Sequence, residues 1–161
     1  MPHPVVYTGD FNALLKEWDE KYKQTFKEQG RAGLLNLMIA NGECARLPQQ
    51  LTRVGWTGLW QRGDRVIDVA KTLRPGTVIA NFKRIDGKWQ YPRGSSADVH
   101  GSHATLFIAG ESYSGGKAMR IRMFDQWRGK WPGPRGVPVV PEPSLKKPCD
   151  RAEEFYVVLI P

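Results

Sequence analysis

The stretch that decides the fold is "HATLFIAGESYSGGKAMRIRMFDQW", residues 103–127. Its two ends, HATLFIAG (103–110) and AMRIRMFDQW (118–127), are short and rich in β-branched and aromatic residues. ESYSGGK between them is turn chemistry, so the two runs are expected to form an antiparallel hairpin. GTVIANF (76–82) and EEFYVVLI (153–160) have the same strand character. The N-terminal half reads differently. After an extended lead-in, Asp10 is placed to cap a helix whose stripe is Phe11, Leu14, Leu15, Trp18, Tyr22 and Phe26, with Gly30 as its stop. AGLLNLMIA (32–40) is apolar nearly all round and predicts a buried helix or turn. The segment from Cys44 to about Val54 is again helical in pattern, interrupted by Pro48. GWTGLWQRGDRVID (55–68) reads as loop with exposed tryptophans, and the Pro-rich 131–148 as a surface excursion. Helices come first, strands follow, and no repeat is evident. The expectation is one α+β domain over residues 1–161, N-terminal helices packed on an antiparallel sheet.

Composition narrows the partners. The chain has 161 residues, 40% of them hydrophobic, with six Trp, five Tyr and six Phe, which argues against disorder. Its 24 Lys and Arg against 16 Asp and Glu give a net charge of +8, a surface suited to polyanions such as nucleic acid, anionic membrane or the bacterial wall. No run approaches the roughly 18–20 apolar residues of a membrane span. The opening MPHPVVYTGD has neither the basic nor the apolar region of a signal peptide. Cys44 and Cys149 allow at most one disulfide, so a disulfide framework does not hold this fold. Pairing of the two would deny Cys44 any role as a nucleophile.

That role is suggested by LMIANGECARLPQQL (37–51), where an apolar run breaks on Asn41-Gly42 and a cysteine follows at once. With Asn41 as cap, Cys44 is expected in the first turn of a helix, where free N–H groups and a nearby imidazole lower a thiol's pKa. His103, opening a strand, is the candidate imidazole. A hairpin turn centred near Ser114 sets residue 103 opposite Asp125, a carboxylate able to fix the ring's tautomer. A slip of one residue would offer Gln126 instead, and the sequence leaves that choice open. The bland readings are a small buried cysteine, a structural histidine and a strand-end aspartate; the joint arrangement is what favours chemistry.

Other features carry less. His100 and His103 are three apart on an extended segment and point to opposite faces, so they make a poor metal pair. Trp56, Trp60, Trp127 and Gln126 are candidate substrate contacts: aromatics here could stack on bases, line a cleft for a wall polymer, or be ordinary hairpin residues.

NGECARLPQQL, LRPGTVIANF, YPRGSSADVHGSHATLFIAG and IRMFDQW, in that order, resemble the NlpC/P60 and CHAP-like cysteine amidases. More narrowly, they are similar to the small type VI secretion amidase effectors that degrade peptidoglycan. The resemblance spans about residues 37–130, and AEEFYVVLI fits the closing strand. It implies a papain-like fold and hydrolysis of an amide in the peptide stems or crosslinks of the bacterial wall. Cys44 matches the nucleophile, His103 the base and Asp125 the orienting acid; no metal or other cofactor is implied. It also implies peptidoglycan as substrate, a cognate immunity protein as partner, export, and action in the periplasm of a target bacterium. Neither a nucleic-acid partner nor a membrane span is expected. The rival readings are a non-catalytic basic and aromatic module for wall glycan or nucleic acid, and the same fold turned to other acyl chemistry.

Overall fold

The computed structural model describes residues 1–92, 102–141 and 144–161; His100 lies outside them. A long helix, α1 (Phe11–Leu34), begins where Asp10 accepts a hydrogen bond from the Ala13 amide at 3.0 Å, a cap worth about 1 kcal/mol. Phe11, Leu14 and Trp18 are buried and Tyr22 packs on Trp131 at 5.3 Å, but Phe26, expected in the stripe, is exposed. The helix has run past the core by then. Gly30 breaks the helical geometry with φ 65°, yet the chain resumes helix to Leu34. A short helix, α2 (Arg46–Leu51), follows, then a 3₁₀ turn (Thr57–Leu59) and α3 (Val66–Val69).

The sheet is antiparallel throughout. Its strands run in the order β1 (His3–Pro4), β9 (Phe155–Ile160), β3 (Val78–Asn81), β6 (Ala104–Glu111), β7 (Arg120–Trp127) and β8 (Lys130–Pro138), with β2 (Gln61–Arg65) also paired to β9. A separate hairpin joins β4 (Lys83–Ile85) to β5 (Lys88–Gln90). Successive strand residues alternate between two cores. Val78, Ala80, Leu106, Phe124, Tyr156 and Val158 meet α1 and Leu47 of α2 on one face. Ile79, Phe107, Ile121, Met123, Phe155 and Val157 meet Val66 and Ile67 of α3 on the other. Burial on both faces explains why these strands read as continuous apolar runs.

Three expectations are corrected. The Pro-rich 131–148 is not wholly an excursion, because residues 130–138 form β8 against β7; an edge strand tolerates prolines that a central one does not. The segment 55–68 holds β2 and the start of α3 rather than loop alone. Pro48 does not interrupt α2: it is the third helical residue, where a missing N–H costs nothing, and Gln49 N–H still reaches the Ala45 carbonyl at 3.2 Å.

Candidate functional site

Cys44 stands in a turn two residues ahead of α2, not within its first turn as expected. Asn41 does not cap the helix; its Oδ1 accepts from the Glu43 amide at 3.1 Å, closing a local turn. Gly42 between them takes φ 85°, which a side chain rarely adopts, and this accounts for the glycine two places before the cysteine. The loop is tied down from the sheet. Gln126 is fully buried, and its amide accepts from Ile39 N–H at 2.8 Å and donates to the carbonyls of Ile39 (2.9 Å) and Glu43 (3.0 Å). It therefore neither orients His103 nor touches a substrate, contrary to both expectations; it holds the cysteine loop.

His103 and Asp125 do meet, by a different register from the one expected. Leu106 pairs with Phe124 and Phe107 with Met123, and a bulge follows before Ala109 pairs with Arg122. The turn thus centres beyond Ser114, and residue 105, not 103, falls opposite Asp125. A shift of two keeps every side chain on its face, so His103 lies diagonal to Asp125, with its Nε2 at 2.8 Å from Oδ2. Both are buried, at 3% and 0% exposure. With Nε2 engaged, Nδ1 is the nitrogen left for the Cys44 thiol, which the neighbouring imidazole acidifies and whose Sγ also donates to the Ser102 carbonyl at 3.9 Å.

Asp125 is more heavily held than the sequence indicated. Lys130 Nζ donates to Oδ1 at 2.6 Å and Arg135 Nε to Oδ2 at 2.7 Å. Arg135 in turn reaches Asp150 at 2.9 Å and the Cys149 carbonyl at 2.8 Å. Both cations come from β8, so reading 131–138 as an excursion hid them. Tyr91, just after β5, was also missed: its hydroxyl lies 3.7 Å from the Cys44 sulfur, and its ring packs on Trp60 at 4.9 Å.

The electrostatics follow from this packing. Burial pushes the Cys44 thiol up, but the imidazole, the Ala104 N–H and the Tyr91 hydroxyl outweigh it and bring the thiol down to about 7. Burial pulls His103 down, whereas Asp125 and the thiolate raise it to about 9. Burial would raise Asp125, yet His103, Lys130 and Arg135 hold it far below the usual carboxylate range. Burial and the neighbouring thiolate push Tyr91 well above an ordinary phenol, so it stays a donor. Between about pH 7 and 9 the site holds a thiolate beside an imidazolium. Cys149, free like Cys44, is shifted the other way, raised chiefly by burial.

Cys44 opens on a cavity of about 470 Å³, lined also by Glu43, Arg46, Tyr91, Ser102 and Arg128. Of the tryptophans, Trp56 is exposed, one residue from Thr57 in the cavity wall. Trp127 is 42% exposed and meets the His103 ring edge-on at 5.9 Å, with Lys130 and Arg135 each 5.2 Å from its own ring. Trp60 is no substrate contact: it is buried and its Nε1–H donates to the carbonyls of Val54 and Gly55. Among the described residues no helix is long and apolar enough to cross a membrane.

A loop cysteine packed against an antiparallel sheet that carries the histidine is the papain-like α+β arrangement. The family described as Domesticated amidase effector 2 (Dae2) matches residues 17–158, and the chain belongs to it. A solved structure titled "Type 6 secretion amidase effector 2 (Tae2)" is similar at 26% identity and a TM-score of 0.58, covering 83% of this chain and 93% of that one. No curated protein matches. The protein is a peptidoglycan-hydrolysing amidase of the effector type, which removes the non-catalytic binding module from consideration.

Proposed function

We propose that the protein, folding as a single domain, cuts an amide in the peptide part of peptidoglycan through Cys44, His103 and Asp125. The observation that carries this is the buried His103 imidazole, bonded to Asp125 at 2.8 Å and acidifying the Cys44 thiol in the wall of the cavity. The Cys44 thiolate adds to the amide carbon and the carbonyl oxygen takes the charge. The Tyr91 hydroxyl, released from the sulfur, is a donor within reach of that oxygen. The His103 imidazolium then protonates the departing amine as the C–N bond breaks, leaving a thioester on Cys44 and a neutral ring. Neutral His103 takes a proton from water, hydroxide adds to the thioester, and the thiol leaves with a free carboxylate formed. Asp125 keeps the Nε2 proton in place and offsets the imidazolium charge throughout.

The net charge of +8 supports retention on an anionic wall. Export and action in the periplasm of a target bacterium suit an effector of this family, as does a cognate immunity protein shaped to fill the Cys44 cavity. The test is incubation of purified wall with wild type and Cys44→Ala, followed by chromatography and mass determination of the fragments. Wild type should release peptide fragments with one new amine and one new carboxylate per cut. Equal release by Cys44→Ala would refute the assignment.

A further inference from the structure

Arg128 lies at the tip of the two-residue turn between β7 and β8, ahead of Gly129 with φ 95°. From there its guanidinium reaches Glu43 at 3.1 Å, the residue immediately before Cys44. Arg128 lines the Cys44 cavity and also a second one of about 410 Å³, whose wall includes Leu37, Met38, Trp127 and Lys130. Arg128, paired with Glu43, therefore stands between the two cavities, with Glu43 on the side of the thiol. Arg46 adds another cation to the first cavity, where it donates to the neutral Gln49 amide oxygen at 3.2 Å. Lys130, at the far side of the second, is already engaged by Asp125.

The pair is easily exchanged. Both side chains are more than half exposed, at 69% and 54%, and an ion pair in that setting contributes little to stability. Glu43 is held through one N–H alone, whereas a guanidinium can grip a well-placed carboxylate in a planar, two-pronged way. Resting on the amidase reading above, we infer that Glu43 stands in for a substrate carboxylate, and that Arg128 selects stem peptides bearing a free carboxylate beside the cut amide. The incoming carboxylate displaces Glu43 and takes its place on Arg128. Masking that carboxylate as a primary amide removes the charge and sets an N–H₂ group against the guanidinium.

The experiment uses two soluble crosslinked stem-peptide dimers, identical except that one carries the free carboxylate and the other its amide. Wild type should favour the acid by about tenfold in kcat/KM, through KM, as one charge-assisted contact predicts. Arg128→Gln should lose that preference by a rise in KM for the acid alone, and Arg128→Lys should restore part of it. Glu43→Gln, which frees Arg128, should lower KM for the acid and leave the amide unchanged. Equal efficiency of wild type on both dimers, or an unchanged preference in Arg128→Gln, overturns the inference and leaves the amidase reading standing. A wild type that cuts neither dimer refutes both.

Discussion

Replacing Asp125 by Asn is the perturbation that probes the site most deeply, because one carboxylate serves three donors. His103 and Arg135 share Oδ2, and Lys130 holds Oδ1 at 2.6 Å. An amide has one acceptor oxygen, so either Lys130 or the His103–Arg135 side must face an N–H₂ group. Breaking a buried ion pair costs about 3–5 kcal/mol. The Lys130 and Arg135 side chains retain 19% and 17% exposure, enough to reach some water, so the lower end applies: about 3 kcal/mol. For a chain of this size that is a fall in Tm of roughly 6–12 °C. Turnover should fall much further, on the order of a thousandfold, as His103 loses both its fixed tautomer and the charge that raises it.

Adding Lys130→Met separates the two effects. The double variant no longer buries an orphan ammonium, so most of the lost Tm should return while activity should not. Thermal unfolding followed by circular dichroism and turnover of a soluble stem-peptide dimer are the assays. Recovery of activity along with stability would show that Asp125 is only a counter-ion for β8, and the reasoning about His103 would be wrong. Acid adds a check on sign. Asp125 titrates below its unfolded value, so its contribution is present above the ordinary carboxylate pKa and lost as pH falls. Wild type should lose stability on acidification more steeply than Asp125→Asn, and equal slopes would contradict the depressed carboxyl.

Gln126→Leu leaves the Ile39 N–H and the carbonyls of Ile39 and Glu43 without their partner; it should cost about 3 kcal/mol in urea unfolding and lower kcat more than it raises KM. The pH profile of kcat/KM should rise through about 7 as Cys44 ionises and fall through about 9 as His103 loses its proton; a single limb would disprove the ion pair. Iodoacetamide at pH 7 should label Cys44 at least tenfold faster than Cys149, whose thiol is raised by burial, and parity between them would return Cys44 to inert packing. Tyr91→Phe removes a donor from the thiolate, so the acid limb should move to higher pH with a loss in rate of about tenfold.

What the sequence revealed and what it concealed have separate physical origins. The His103–Asp125 meeting survived a wrong register because strand periodicity is two: the bulge between Phe107 and Ala109 and the longer turn moved the pairing by two places and kept the face. A shift of one would have set Phe124 or Gln126 toward the ring. The cysteine motif was legible because Asn41-Gly42 needs a turn with positive φ. The Lys130–Arg135 clamp was not, because prolines at 132, 134 and 138 disguise an edge strand as loop. Trp60 and Gln126 were misplaced for a related reason. Polar or amphipathic side chains can be buried when backbone groups satisfy them, and those partners, Val54, Gly55, Ile39 and Glu43, are distant or irregular in sequence.

The end of β7 brings these strands of argument together. Pairing with β8 is regular from Arg120 to Asp125, then shifts between Asp125 and Trp127, where two β8 residues, Trp131 and Pro132, stand opposite the single residue Gln126. Consecutive residues then face different tasks. Asp125 turns to the face that carries His103, Gln126 to the face that carries the cysteine loop, and Trp127 stands edge-on to the imidazole. Arg128 reaches Glu43 beside the cysteine. The two halves of the site, a loop from the helical region and a histidine from the sheet, are thus fixed by one tetrapeptide. An insertion between Asp125 and Gln126 would break this alternation, put the two side chains on one face and release the cysteine loop from the sheet that holds His103. That coupling makes the spacing Asp125–Gln126, rather than either side chain alone, the feature on which the alignment of thiol and imidazole depends.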